Sequence, residues 1–547
     1  MDLVTLWAGP GCGKTECLVR VAKELIQRGE ADRSQLAYVA FQRDAAFGAA
    51  KRVGISGEDY RSLWWRTLHS TCYRLLRISG DKVVTPVRMR DFSKKIGLSV
   101  DNALAVEGDE MADLAEVVLA IQKDRSSEDE GAKPSRIIAL YQLSRLKCRK
   151  VDELKSVRKE PHPGVFAQME ADLDISEYAS LVAAYESWKS IDGLLDFVDM
   201  LERILTSSVQ LPDWKYAFVD EAQDLSPLQW AVVEKLFFEV PRMTFLAGDD
   251  DQAIMSFQGS SASDFLSYRE RSTVIHLRQT HRFGEQIVKV GRAITDRLSI
   301  RENKEILSDP SKTNHVQKIY DFDPAVYEGK KFLLHRHKRG CSVLARNMIH
   351  KGQPFWNERG INPLARSSEI AGYLATSKVI RGESVTGTEL GALLRVVPSF
   401  RTRENGKVRL VKHGVKKKVS DRDPRFPYTR TVLEGFFTPD FWNSVLSKDW
   451  SITEIEFPEY YERLEKKGWN LLGEAEPDII ITSIHGSKGR ERKNTFLWDE
   501  VLPKCLRSED EHRVAYVGAT RTQGALYIVS ERLIPEWNMA RYPYPVG

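Results

Sequence analysis

The sequence predicts an α/β protein built on two parallel-sheet domains, each interrupted by an inserted subdomain. Three observations carry this reading. Short apolar segments recur along the 547 residues, glycine-rich turns or helical periodicity follow them, and two long stretches of different texture break the pattern. A chain of this length exceeds one compact core, so several domains are expected.

The first strand is "LVTLWA" (Leu3 to Ala8), a glycine-rich turn follows it, and Glu16 to Arg28 carries Leu18, Val21, Ala22 and Leu25 on one helical face. Further apolar strands read at "LAYVAF" (Leu36 to Phe41), "KYAFVD" (Lys215 to Asp220), "MTFLAGD" (Met243 to Asp249) and "STVIHL" (Ser272 to Leu277). Residues 75–190 read as a helical insertion, with "EMADLAEVVLAIQK" and "EYASLVAAYESWKS" amphipathic and "SSEDEGAKPS" an exposed linker. The first domain is thus expected at 1–74 and 191–273. The second is expected at 274–364 and 472–547, with strands at "CSVLAR" (Cys341 to Arg346), "DIIITSI" (Asp478 to Ile484) and "GALYIVS" (Gly524 to Ser530). Residues 365–471 are basic and aromatic and form the second insertion, a candidate duplex contact.

Composition sets bounds. A hydrophobic share of 42% with 29% charged residues is that of a globular chain, not a disordered or fibrous one. The net charge of +4 is too small to predict a polyanionic partner, so any nucleic-acid argument rests on local patches. Six cysteines without CxxC or Cys/His clustering argue against a zinc site, an iron–sulfur cluster or a disulfide framework, and fit a reducing cytoplasm. Apolar runs fall far short of the roughly 20 residues that span a bilayer. The glycine-rich turn begins too early to leave room for a signal peptide, so no membrane association is expected.

Two motifs carry chemistry. In "AGPGCGKT" (Ala8, Gly9, Pro10, Gly11, Cys12, Gly13, Lys14, Thr15), glycines allow positive φ and close approach, Lys14 can reach β and γ phosphates, and Thr15 can ligate magnesium. "FVDEAQD" ends a strand with Asp220, which can hold magnesium directly or through water. Glu221 beside it can orient and deprotonate an attacking water. An acidic strand end alone is equally a solvated terminus; the loop upstream tips the balance toward a shared phosphoryl-transfer site.

With "GDDDQAIMSFQGS", "LRQTHRF", "TSIHGSKGRE" and "YVGATRT" following in order, the chain resembles the UvrD/Rep/PcrA-like helicases of superfamily 1 over nearly its whole length. The resemblance implies two RecA-like domains forming an ATP cleft, with ATP and Mg2+ as cofactors. It implies that Gln252 senses the γ-phosphate and that Arg282 and Arg521 reach across from the second domain as arginine fingers. It further implies that Glu491 approaches the ribose, with Ser483 and His485 in the same motif, and that Phe41, His69 and Phe257 contact single-stranded DNA, where aromatic rings stack on bases of any sequence. An isolated Phe is more often core.

The chain departs from the family pattern on the adenine side. Only seven residues precede Ala8, leaving no upstream adenine-reading glutamine, and His281 stands where the family has a stacking tyrosine. Met255 and Gln258 replace a tyrosine and an arginine. Separately, "SFRTRENGKVRLVKHGVKKKVS" reads as a hairpin turning at Asn405 and Gly406. From Arg401 to Lys418 it carries eight Lys or Arg against the single acid Glu404.

The function implied is an ATP-dependent helicase or translocase on single-stranded DNA and duplex junctions, working in the cytoplasm, or the host's if viral. A 3′ to 5′ direction follows from the likeness of "GDDDQAI" and "HGSKGRE" to that branch. A loading, replication or repair partner is expected but not identified. The alternatives are the motor subunit of a helicase–nuclease, for which the 26 residues after Arg521 are too few to add a nuclease, an RNA helicase, and a nucleotide-gated DNA clamp.

Overall fold

A computed structural model describes residues 2–98, 132–148, 175–239, 241–357, 361–403, 406–415, 424–473 and 475–546. The chain divides into two compact units. One comprises Met1–Val316, Leu502–Gly524 and Tyr544–Gly547; the other comprises Gln317–Val501 and Ala525–Pro543.

The first unit holds a six-stranded sheet of β1 (Asp2–Ala8), β2 (Leu36–Ala40), β3 (Trp64–Thr67), β4 (Tyr216–Val219), β5 (Met243–Gly248) and β6 (Thr273–Leu277), in the order β3-β2-β4-β5-β1-β6. All its pairings are parallel. Period-two alternation sends Leu3, Trp7, Val39, Val219 and Leu246 to one face, and Leu6, Tyr38, Phe218 and Ala247 to the other. Both faces are buried, which is why these strands read as continuous apolar runs. The second face packs on the helix Lys14–Gln27 through Leu18, Val19 and Ala22. The first packs on helices Leu68–Leu75, Phe197–Thr206 and Pro227–Phe237. Among the described residues of the first insertion, helices Pro86–Ile96, Ala132–Leu146 and Ile175–Asp192 share a small core around Phe92, Ile138, Tyr185 and Trp188. The predicted helix "EMADLAEVVLAIQK" lies outside the described residues.

The expected border near residue 274 falls inside β6, and that strand pairs with β1 from Val4↔Thr273 to Ala8↔Leu277. The first unit therefore runs on to Val316 and regains Leu502–Gly524.

The other unit centres on a second six-stranded sheet, ordered β7-β15-β13-β8-β12-β9. Its strands are β7 (His315–Ile319), β8 (Lys331–His335), β9 (Phe355–Asn357), β12 (Ile479–Ser483), β13 (Arg492–Trp498) and β15 (Thr522–Val529). The β13/β8, β8/β12 and β12/β9 pairs are parallel. "CSVLAR" is not a strand. It lies within the helix Lys338–Lys351, because Cys341, Leu344, Ala345 and Met348 are buried at spacings of three and four. A short apolar run does not by itself distinguish the two periods.

Among the described residues of 365–471, helices Ser367–Ile380 and Gly387–Val396 pack on one another. The same stretch also contains the predicted hairpin, β10 (Phe400–Arg403) against β11 (Gly406–Arg409). Gly406 pairs with Arg403 and so belongs to the strand, one position past the expected turn; residues 404, 405 and 416–423 lie outside those described. No described helix is long and apolar enough to cross a membrane.

Candidate active site

Because the first sheet is all parallel, its carboxyl ends share one edge, and the segments after β1, β4 and β5 form the site there. Gly11 and Gly13 take φ of 73° and 80°, open to glycine at little cost. At Gly11 a Cβ would also lie 2.5 Å from Arg282 Cβ and 2.7 Å from Thr280 Oγ1. That crowding reflects a joint: Thr280 Oγ1 donates to the Pro10 carbonyl at 2.8 Å, and the His281 N–H donates to the Gly11 carbonyl at 2.9 Å. Gly9 is equally tight, since its Cβ would meet Ile306 Cδ1 at 2.3 Å. The turn leads into the helix Lys14–Gln27, capped by Gly13 with no side-chain bond, so first-turn N–H groups remain for an anion. Lys14 is buried, its ammonium making a long 3.4 Å contact with the Ala8 carbonyl. Cys12 is a buried thiol pushed up to about 11 by desolvation, unsuited to nucleophilic work.

Asp220 follows β4. Its Oδ2 accepts from Thr15 Oγ1 at 2.6 Å and from the Tyr38 hydroxyl at 2.8 Å, while the Glu221 N–H donates to Oδ1 at 3.0 Å. Burial, and then the charge of Glu221, push this carboxyl above its ordinary range, opposed by the Thr15 and Tyr38 bonds and by Lys14. A buried carboxylate made costly by a second acid, sharing an oxygen with a threonine hydroxyl, is a hard-oxygen donor set that suits magnesium. Glu221 sits in the left-handed region at φ 54°, a conformation that costs a non-glycine residue energy and recurs at functional positions. Gln223 Nε2 donates to Glu221 Oε2 at 2.7 Å, and Gln223 Oε1 accepts from the Asp249 N–H at 2.9 Å.

After β5, Gln252 Nε2 donates to Asp249 Oδ2 at 2.6 Å, and its Oε1 accepts from Arg521 Nη2 at 2.9 Å. Arg521 is 1% exposed and also donates from Nε to the Val517 carbonyl at 2.9 Å. Arg282 Nη1 donates to the Thr520 carbonyl at 3.0 Å. Both arginines therefore lie in the same compact unit as Lys14. That unit includes the returning segment Leu502–Gly524.

Two family models match the chain: the UvrD/REP helicase N-terminal domain over residues 2–273 and the UvrD-like helicase C-terminal domain over 478–529. The chain belongs to the UvrD/Rep helicase family. The ATP-dependent DNA helicase PcrA of Staphylococcus epidermidis is 21% identical over 623 aligned positions, covering 96% of this chain and 81% of the relative. PcrA of Staphylococcus aureus is likewise 21% identical, covering 96% and 80%. Among solved structures, the arterivirus nonstructural protein 10 helicase aligns over 98% of this chain and 62% of its own, at 9% identity and a TM-score of 0.33.

The remaining predicted residues of this UvrD-like helicase are placed differently. His281 is exposed beside the phosphate loop. Glu491 lies in the other unit, half-buried just before β13, as do Ser483 at the end of β12 and His485 after it. Phe41 is half-buried immediately after β2, and Phe257 falls in the single turn Ser256–Gln258. His69 is buried with its ring edge-on to Phe197 at 5.9 Å, and its Nε2 has no partner among the described residues. Desolvation holds its pKa down at about 4.

Sequence reasoning passed over Tyr38, Thr280, Thr520 and Lys304. Gln223 lies in "FVDEAQD" two positions from Glu221, a spacing that could have singled it out. Tyr38 gave no signal, because a buried strand tyrosine looks like core until its hydroxyl is seen on Asp220.

Proposed function

We propose that this chain is an ATP-dependent DNA helicase that translocates 3′ to 5′ on single-stranded DNA and opens duplex junctions. The observation that carries the reading is the 2.6 Å bond between Thr15 of the phosphate loop and Asp220, with Glu221 adjoining. It joins the two halves of a phosphoryl-transfer site read separately in the sequence.

In this reading the uncapped amides after Gly11 and the Lys14 ammonium receive the phosphates, and Thr15 and Asp220 hold magnesium. A bound magnesium ion supplies positive charge to the phosphate oxygens. Glu221 orients the attacking water and takes its proton. Gln252 reports on the γ-phosphate, and Arg521 and Arg282 supply positive charge to the transferring phosphoryl. His281 stacks on the base and Glu491 takes the ribose. Phe41 and Phe257 stack on bases of the tracked strand. Residues 75–190 and 365–471 act as subdomains set into two RecA-like domains, the second offering the β10–β11 hairpin to duplex phosphates. The names of the PcrA relatives support DNA as substrate. Direction rests on the motif likeness, and work in the cytoplasm on the family reading.

Unwinding of 3′-tailed and 5′-tailed duplexes with ATP and Mg2+ tests the proposal. Opening of the 3′-tailed substrate alone is expected. Opening of only the 5′-tailed substrate would reverse the direction, and opening of neither would overturn the helicase reading.

A further inference from the structure

Three consecutive aspartates follow β5, and the side chains of Asp249, Asp250 and Asp251 are all fully buried. Such a cluster is stable only if cations are buried with it. Their shared cation is Lys304, whose side chain is 2% exposed: its Nζ lies 3.0 Å from Asp249 Oδ1 and 2.8 Å from Asp251 Oδ2, and bonds Asp250 Oδ1. Arg301 adds a two-pronged contact to Asp251 at 3.0 and 2.8 Å. The three carboxylates converge closely enough to suit a metal ion, but the ammonium of Lys304 already fills that position.

The carboxylate of Asp249 faces two ways. One oxygen meets Lys304, and the other accepts the Gln252 amide N–H at 2.6 Å. An ionised carboxylate only accepts, so it fixes which end of the amide points to it and leaves Gln252 Oε1 for Arg521 at 2.9 Å. Burial pushes Asp250 up to about 6 even with Lys304 opposing the rise, whereas at Asp251 the burial penalty is outweighed by Lys304 and Arg301 and the carboxyl lies below its ordinary range.

We infer that Lys304, which lies outside every motif of the site, is a positioning residue that pairs with Asp249 and thereby holds the Gln252 amide in register with Arg521. The inference rests on the reading of Gln252 as a γ-phosphate sensor. Without Lys304, Asp249 loses the cation at Oδ1, Arg301 reaches only Asp251, and the carboxylate that accepts the Gln252 amide is no longer held in place.

A double-mutant cycle on the full chain with saturating single-stranded DNA tests this. Lys304→Met is expected to lower kcat for ATP by roughly tenfold or more with KM changed less than about threefold. In a Gln252→Ala background the same substitution is expected to cost less than about twofold. Asp249→Asn, which keeps the volume and removes the charge, is expected to give the same kcat loss and the same non-additivity. It carries the test should Lys304→Met fail to fold in a thermal melt. Fully additive losses, or an unchanged kcat in a folded Lys304→Met protein, overturn the role of Lys304 while leaving the reading of Gln252 intact. Unchanged turnover in Gln252→Ala alone overturns that reading and the inference with it.

Discussion

Gln252 and Arg521 are bonded at 2.9 Å, amide oxygen to guanidinium, although 269 positions separate them in the chain. The amide is held from behind by Asp249, and the guanidinium by the Val517 carbonyl, so both ends of the contact are fixed by the protein itself. Preorganised charge of this kind stabilises a transition state without reorganisation cost.

On the proposed role, Arg521→Ala should lower DNA-stimulated ATP turnover by roughly 10³ or more. Arg521→Lys should recover little, because a point ammonium cannot serve both Gln252 and Val517. Steady-state hydrolysis of both variants decides the matter, and full activity in Arg521→Lys would show that the fork is not needed.

Glu221→Gln keeps the volume and the acceptor for Gln223 but removes the base. Turnover should drop by roughly 10² or more, with nucleotide affinity within a few-fold of the parent. Fluorescent-nucleotide titration beside the hydrolysis assay separates the two quantities.

Tyr38→Phe removes one of two hydroxyl donors on Asp220 Oδ2. The loss of one bond to a charged group should cost about 1.5 to 3 kcal/mol of stability. The Mg2+ concentration giving half-maximal turnover should also move by a few-fold, because Asp220 is less firmly held. Denaturant unfolding and a magnesium titration read the two effects.

His69 gives a pH signature. Its folded-state pKa lies at about 4, below the ordinary imidazole value, so the unfolded chain binds the proton more readily. Stability from this group is full above about pH 6.5 and is lost as pH falls toward 4, by about 3 kcal/mol in the limit. His69→Leu should flatten that part of the stability curve, and an unchanged acid limb in chemical denaturation would show that the ring is not buried neutral.

The β10–β11 hairpin exposes Lys407, and Arg409 lies over the Phe400 ring at 4.2 Å. Lys407→Glu with Arg409→Glu should weaken duplex binding and reduce the slope of log affinity against log salt by about 2, with single-strand binding little altered. Equal losses on both substrates would argue against a duplex-specific role.

The sequence by itself determined the fold class, since strands buried on both faces must be continuous apolar runs and β1, β2, β4 and β5 read as such. It also offered Lys14, Thr15, Asp220 and Glu221 as candidates, because each sits within a few residues of a strand end, where local pattern marks it. Period alone left the helix through Cys341 looking like a strand, and a side chain's burial is not written in its neighbours, as His69 illustrates. What only the tertiary structure decided were the long-range partnerships. Tyr38 on Asp220, Lys304 among three aspartates and Arg521 on Gln252 each join residues that the chain keeps at least 50 positions apart. No local propensity records such pairs, because a buried charge finds its partner only when separate strands and returning segments are packed together.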